Sequence, residues 1–147
     1  MDLNQVVLKN LNGEPVVLRV GDELVEPGIP AAHKRSYVGP MGPYGQNVVD
    51  PAKGQVPQMV HLHSILNWQQ LLVGERGPEG WDARAQVQSR ALEVLENRVV
   101  NRTLGPNCEH ICSYIRTGRP KSPQLRFWGG VAAIVAFCLL AKKGRPA

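Results

Sequence analysis

Apolar residues in this chain come first in short β-rich runs and later in helical spacing. Val6-Val7-Leu8 and Val16-Val17-Leu18-Arg19-Val20 flank Asn10-Leu11-Asn12-Gly13, and an Asn-Gly pair between two apolar runs is a hairpin signal. Glu26-Pro27-Gly28-Ile29-Pro30 forces a loop, after which Lys34 to Val38 reads as a strand. Glycine and proline crowd Gly39 to Gly45 and Asp50 to Pro57, so both stretches read as loop, with Val48-Val49 able to pair only briefly. Met59 to Ile65 alternates apolar residues with histidine, which on a strand sets His61 and His63 on one face.

The spacing changes after Gly74-Glu-Arg-Gly-Pro-Glu-Gly80. Asp82 suits an N-cap, and Val87, Ala91, Val94 and Leu95 recur at i, i+4, i+7 and i+8, the core face of a helix. Val99 to Leu104 reads as a strand feeding a Gly105-Pro106 turn, and Cys108 to Arg116 as a helix that buries Ile111 and Ile115. Phe127 to Ala141 carries no charge and is apolar on every side. As a helix it extends about 22 Å at about 1.5 Å per residue, somewhat short of the roughly 30 Å hydrocarbon core. Arg126 and Lys142 stand where they can snorkel to the two interfaces, so the segment is expected to be a membrane tail rather than a core helix.

A chain of 147 residues holds one domain with a sizeable core and little beyond it. Its net charge of +5 is concentrated late, from Arg116 onward. Cations beside an apolar segment, with no aromatic residues interleaved to stack on bases, favour anionic lipid headgroups and argue against nucleic acid. Three cysteines behind a Met-Asp-Leu-Asn-Gln start fit a reducing compartment. Cys108 and Cys112 share a helix face, yet no second ligand pair accompanies them, so neither a metal nor another cofactor is expected.

Chemistry concentrates at Cys108. A cysteine that opens a helix faces unpaired backbone N–H groups and the positive end of the helix dipole, which favour thiolate over thiol. The same N–H groups can receive an oxyanion. Asn107 suits the N-cap, while Glu109 and His110 point away from the nucleophile around the helix.

Leu104 to Arg126, with Asn107-Cys108-Glu109-His110 at its centre, resembles the Asn-Cys-Glu-His box of the lecithin retinol acyltransferase-like, or H-box/NC, family. That family includes small tail-anchored phospholipase/acyltransferases, permuted relatives of papain-like enzymes. Gly21-Asp22 leading to His33-Lys34-Arg35-Ser36-Tyr37-Val38-Gly39 is similar to its H-box, and Val60-His61-Leu62 to the strand bearing its second histidine. The resemblance implies Cys108 as nucleophile, His33 as base and His61 as the third site residue, with His63 as rival. One departure is Lys34-Arg35-Ser36, where the family has aromatic and apolar residues. A cation there would lower the pKa of His33 or bind a phosphate headgroup.

The implied fold is α+β: a small antiparallel sheet carrying His33 and His61, packed on helices in permuted papain-like fashion, plus a C-terminal hydrophobic helix. Residues 1–124 would form the catalytic domain and 125–147 the anchor, with the domain on the cytoplasmic side of a membrane. The implied activity is thiol phospholipase A and acyltransferase chemistry on glycerophospholipid esters, without cofactor. Hydrolysis and transfer both stay open, as does the oligomeric state. The alternative is an inactive, viral-type H-box/NC protein serving in interaction or membrane remodelling.

Overall fold

Asn10 closes the first hairpin with its own side chain. Its Oδ1 accepts from the backbone N–H of Asn12 at 2.9 Å and of Glu14 at 3.0 Å, and Gly13 takes the left-handed conformation at φ 82°. The flanking strands are β1 (Val7–Asn10) and β2 (Pro15–Val17). In the computed structural model, which describes residues 5–28, 32–41, 44–51, 55–97 and 108–119, five further strands complete a sheet. They are β3 (Glu23–Glu26), β4 (His33–Met41), β5 (Tyr44–Asp50), β6 (Gln58–His61) and β7 (Leu72–Val73), in the order β2-β1-β7-β3-β4-β5-β6. The fold is α+β as expected. The sheet, however, is mixed rather than antiparallel, because β7 inserts beside β1 and pairs with it in parallel.

The largest difference from the sequence reading is the Gly/Pro-rich stretch after Val38. It forms one long hairpin, β4–β5, instead of a loop. The register slips between Tyr37 and Gly39 and again between Gly39 and Met41. Gly39, at φ 68°, absorbs the irregularity as a bulge. Nδ2 of the buried Asn47 donates to the carbonyls of Gly39 at 3.0 Å and Met41 at 3.1 Å, replacing ladder bonds that the slip removes.

Gly21-Asp22 is a structural knot. The fully buried Asp22 carboxylate accepts from the Arg19 N–H, the Gly77 N–H and Arg76 Nε. The Asp22 carbonyl accepts from Tyr37 N–H, and Gly21 N–H donates to the Tyr37 carbonyl, locking the turn to β4.

Two helices cover one side of the sheet. Helix α1 (Trp81–Asn97) starts one residue before Asp82, with the Gly80 carbonyl accepting from Arg84 N–H. Asp82 therefore sits inside the first turn, where its charge favours the dipole, rather than at the cap. Val87, Ala91 and Val94 bury as predicted, against Val38, Val49 and Ile111 and Ile115 of α2 (Cys108–Thr117). Arg90 of α1 donates to the carbonyls of Ile115 and Arg116, capping the C-terminal end of α2. A second cluster, including Leu8, Leu24, Tyr37, Val48 and Leu62, forms the other part of the core. No helix among the described residues is long and apolar enough to cross a membrane. The predicted strand at Val99–Leu104, the Asn107 cap and the apolar segment Phe127–Ala141 lie outside the described residues.

Candidate active site

Cys108 is the first residue of α2 and His33 the first of β4. The packing of α2 on β4 brings these two ends together: Cys108 Sγ lies 4.0 Å from the carbonyl oxygen of Ala32, and the thiol is close enough to the His33 imidazole for each to shift the other's titration. The pairing expected from sequence, nucleophile beside first histidine, is thus what the fold juxtaposes. On the other side of the ring, His33 Nε2 is 2.7 Å from Oδ1 of Asp50, the last residue of β5. Since Asp50 takes Nε2, Nδ1 is the nitrogen left for the sulfur.

Asp50 is itself held. Arg35 Nε is 3.2 Å from its Oδ2, and Arg35 Nη1 is 2.8 Å from Glu26 Oε2. His33, Arg35 and Asp50 gather because β4 and β5 pair Ser36 with Val49, which leaves the next β4 residues beside Asp50.

The electrostatics follow from these contacts. The hydrogen bond to Asp50, then the one to Cys108, raises His33 to about 9, against burial and the Arg35 charge, which lower it. Burial pushes the Cys108 thiol up, but the His33 hydrogen bond, backbone hydrogen bonds from Lys34 and Glu109 and the imidazolium charge together bring it below its ordinary value. Burial likewise acts to raise Asp50, and His33 and Arg35 hold it below the usual carboxylate range. The shifts of all three groups run toward a thiolate–imidazolium pair backed by a carboxylate. Cys112, one turn along α2, is the contrast: complete burial drives its thiol far above the ordinary range.

The expected effect of Lys34-Arg35 needs correction. Arg35 does lower the His33 pKa, but Asp50 outweighs it and the net shift is upward. Nor are the two cations free for a phosphate: Lys34 pairs with Glu109 at 3.4 Å and Glu23 at 3.7 Å, and Arg35 with Glu26 and Asp50. Arg116 also reaches Glu23, at 3.6 Å, so Glu23 links β3 to both β4 and α2.

His61 is not brought to Cys108 and His33. It pairs with Asn47, whereas Asp50 pairs with Gln58. That offset along β5 is about 10 Å, and being odd in residues it also reverses the side faced. Nor do His61 and His63 continue one strand, because β6 ends at His61 and Leu62–Ser64 is a short 3-10 turn. His61 caps that turn, its Nδ1 accepting from the His63 N–H, and its ring stacks on His63 with centroids 5.0 Å apart. The position expected for His61 is filled by Asp50, which sequence reasoning passed over as the start of a loop. The missed signal was the hairpin: counting outward from Gly39–Gly45 sets Asp50 beside the residues that follow His33.

Among the described residues no group of three His, Cys, Asp or Glu side chains could hold a metal ion. Comparison with known proteins finds no matching family model, no matching curated protein and no matching solved structure.

Proposed function

We propose that this protein is a thiol acyltransferase or phospholipase A acting on glycerophospholipid acyl esters through an acyl-cysteine intermediate. The observation that carries the reading is the series Cys108–His33–Asp50, in which Asp50 holds the His33 ring at 2.7 Å, the sulfur stands at a helix N-terminus and the thiol is acidified by His33. The lipid substrate class rests on the H-box/NC resemblance and on the uncharged segment Phe127–Ala141 followed by Lys142-Lys143.

In this reading the Cys108 thiolate attacks the ester carbonyl carbon, forming the C–S bond. The oxyanion is stabilised by backbone N–H groups of the first turn of α2. Collapse of the tetrahedral intermediate breaks the C–O bond, and the His33 imidazolium gives its proton to the departing lysolipid oxygen. Neutral His33 then takes a proton from water, or from an amine or alcohol acceptor, as that group attacks the acyl-cysteine. The returning thiolate and imidazolium restore the resting pair. Asp50 keeps the ring in the orientation that offers Nδ1 to the sulfur and stabilises its charged form.

Incubation with a short-chain phosphatidylcholine followed by intact-protein and fragment mass spectrometry tests this. The expected result is one acyl adduct, on Cys108, absent in Cys108→Ser. An adduct that persists in that variant, or none on the native chain under turnover conditions, removes the assignment.

A further inference from the structure

A cleft of about 1300 Å³ lies apart from the Cys108 site: neither Cys108, His33 nor Asp50 lines it. It is larger than the roughly 300–1,000 Å³ typical of pockets for drug-sized ligands. Its charge is one-sided. Arg19, Arg76 and Arg84 line it with His61 and His63, and no Asp or Glu among the described residues does. Arg19 and Arg76 are anchored from behind. Arg19 donates to the Gly77 carbonyl and the exposed Glu79, and Arg76 to Asp22 and the Val17 carbonyl. Because a guanidinium carries five N–H donors, these contacts fix the two heads while leaving donors over. Arg84 is exposed on α1 and forms no ion pair with a described residue.

Besides Gln5 and Gln46, the rest of the lining is mostly apolar: Val6, Leu18 and Tyr37 come from the buried core, and Trp68 sets its ring edge-on to His63 at 4.7 Å. Three arginines beside Val6, Leu18, Tyr37 and Trp68 set cations next to apolar surface, the combination that an anionic head on an alkyl chain requires. We infer that this cleft binds a single-chain anionic amphiphile, its chain over Leu18, Tyr37 and Trp68 and its carboxylate or phosphate held by the arginines. The inference stands independently of the acyl-transfer reading, since it uses none of that site's residues.

The test is photolabelling of the full chain, held in neutral phosphatidylcholine vesicles, with a diazirine-bearing fatty acid, followed by peptide mapping. Label is expected on the segments around Leu18 and Trp68, and Arg84→Glu should reduce it at least fivefold. Dodecyl phosphate and laurate should both compete if the site reads charge plus chain; competition by laurate alone would narrow the headgroup to a carboxylate. Prior alkylation of Cys108 should leave labelling unchanged, separating this site from the nucleophile. Equal competition by neutral monolaurin, displacement by inorganic phosphate alone, label mapping elsewhere, or indifference to Arg84→Glu would each overturn the proposal.

Discussion

Nε2 of His33 stands 2.7 Å from Oδ1 of Asp50, across the pairing of β4 with β5. This contact fixes the ring's orientation and, by offering a carboxylate to the imidazolium, is the largest cause of its raised pKa.

Asp50→Asn should therefore move the site's titration in a definite direction. Without the carboxylate His33 loses its proton more readily, the imidazolium charge beside the sulfur fades, and the Cys108 thiol weakens as an acid. The pH profile of iodoacetamide labelling at Cys108 should move to more alkaline pH, and the rate near pH 7 should fall roughly tenfold for every pH unit that the profile moves. Asp50→Glu should restore part of it. An unmoved profile would take Asp50 out of the site.

The same contacts make stability depend on pH. His33 rises from 6.5 unfolded to about 9 folded, so its contribution is fully present below pH 6.5 and is lost as pH rises through 9. Asp50 is lowered, so its contribution is present above its unfolded value and is lost as acid protonates it in the fold. The His33 shift corresponds to at most on the order of 3 kcal/mol. Urea unfolding of native protein and His33→Gln should differ most near pH 6 and converge by pH 10. A gap that widens with pH would contradict this sign.

Which parts were legible from sequence follows from the range of the signals. The Asn10–Gly13 hairpin, the apolar stripe of α1 and the cysteine at the start of α2 are local, set by turn chemistry and helical period, and they stand where expected. The β4–β5 hairpin was hidden because Gly39 and Pro40 read as breakers, while what keeps the strands paired is a bulge and the distant amide of Asn47. Missing that hairpin meant missing Asp50, because its closeness to His33 exists only once the register is known. The short strand β7, between β1 and β3, is a long-range event that no local pattern announces.

Two cysteines on one helix should react very differently. Cys112 is 1 % exposed with its thiol pushed far up, while Cys108 is half-buried and acidified. Substoichiometric iodoacetamide on the folded chain should modify Cys108 at least tenfold faster than Cys112, read by fragment-ion localisation, with the difference abolished in denaturant. Comparable rates in the native state would mean that the Cys108 thiol is not activated.

Truncation after Gln124 tests the apolar segment. The described part of α2 is closed before that point: Arg90 holds the Ile115 and Arg116 carbonyls, and Ser113 Oγ donates to the Arg119 carbonyl at 2.9 Å. The shortened chain should keep its labelling at Cys108 yet leave the membrane fraction in vesicle flotation. Continued flotation would remove Phe127–Ala141 as the anchor, and precipitation with loss of labelling would make it part of the core.

Arg35 offers the opposite perturbation to Asp50→Asn. Its guanidinium is mostly buried between Glu26 and Asp50, and its charge lowers the pKa of both Asp50 and His33. Arg35→Gln removes that charge while leaving a side chain able to hydrogen-bond. His33 should then hold its proton to higher pH, so the alkaline limb of turnover on a short-chain ester, set by loss of the imidazolium proton, moves up, where Asp50→Asn sends that loss to lower pH. Asp50, released from Arg35, should orient the ring less well, and turnover on a short-chain ester should fall severalfold at the pH optimum even though the thiolate persists. Glu26→Gln removes an Arg35 contact at the half-exposed end of the network and should shift the profile much less. If Arg35→Gln moves the alkaline limb downward, Arg35 acts on the pair through packing and its charge is not what tunes His33.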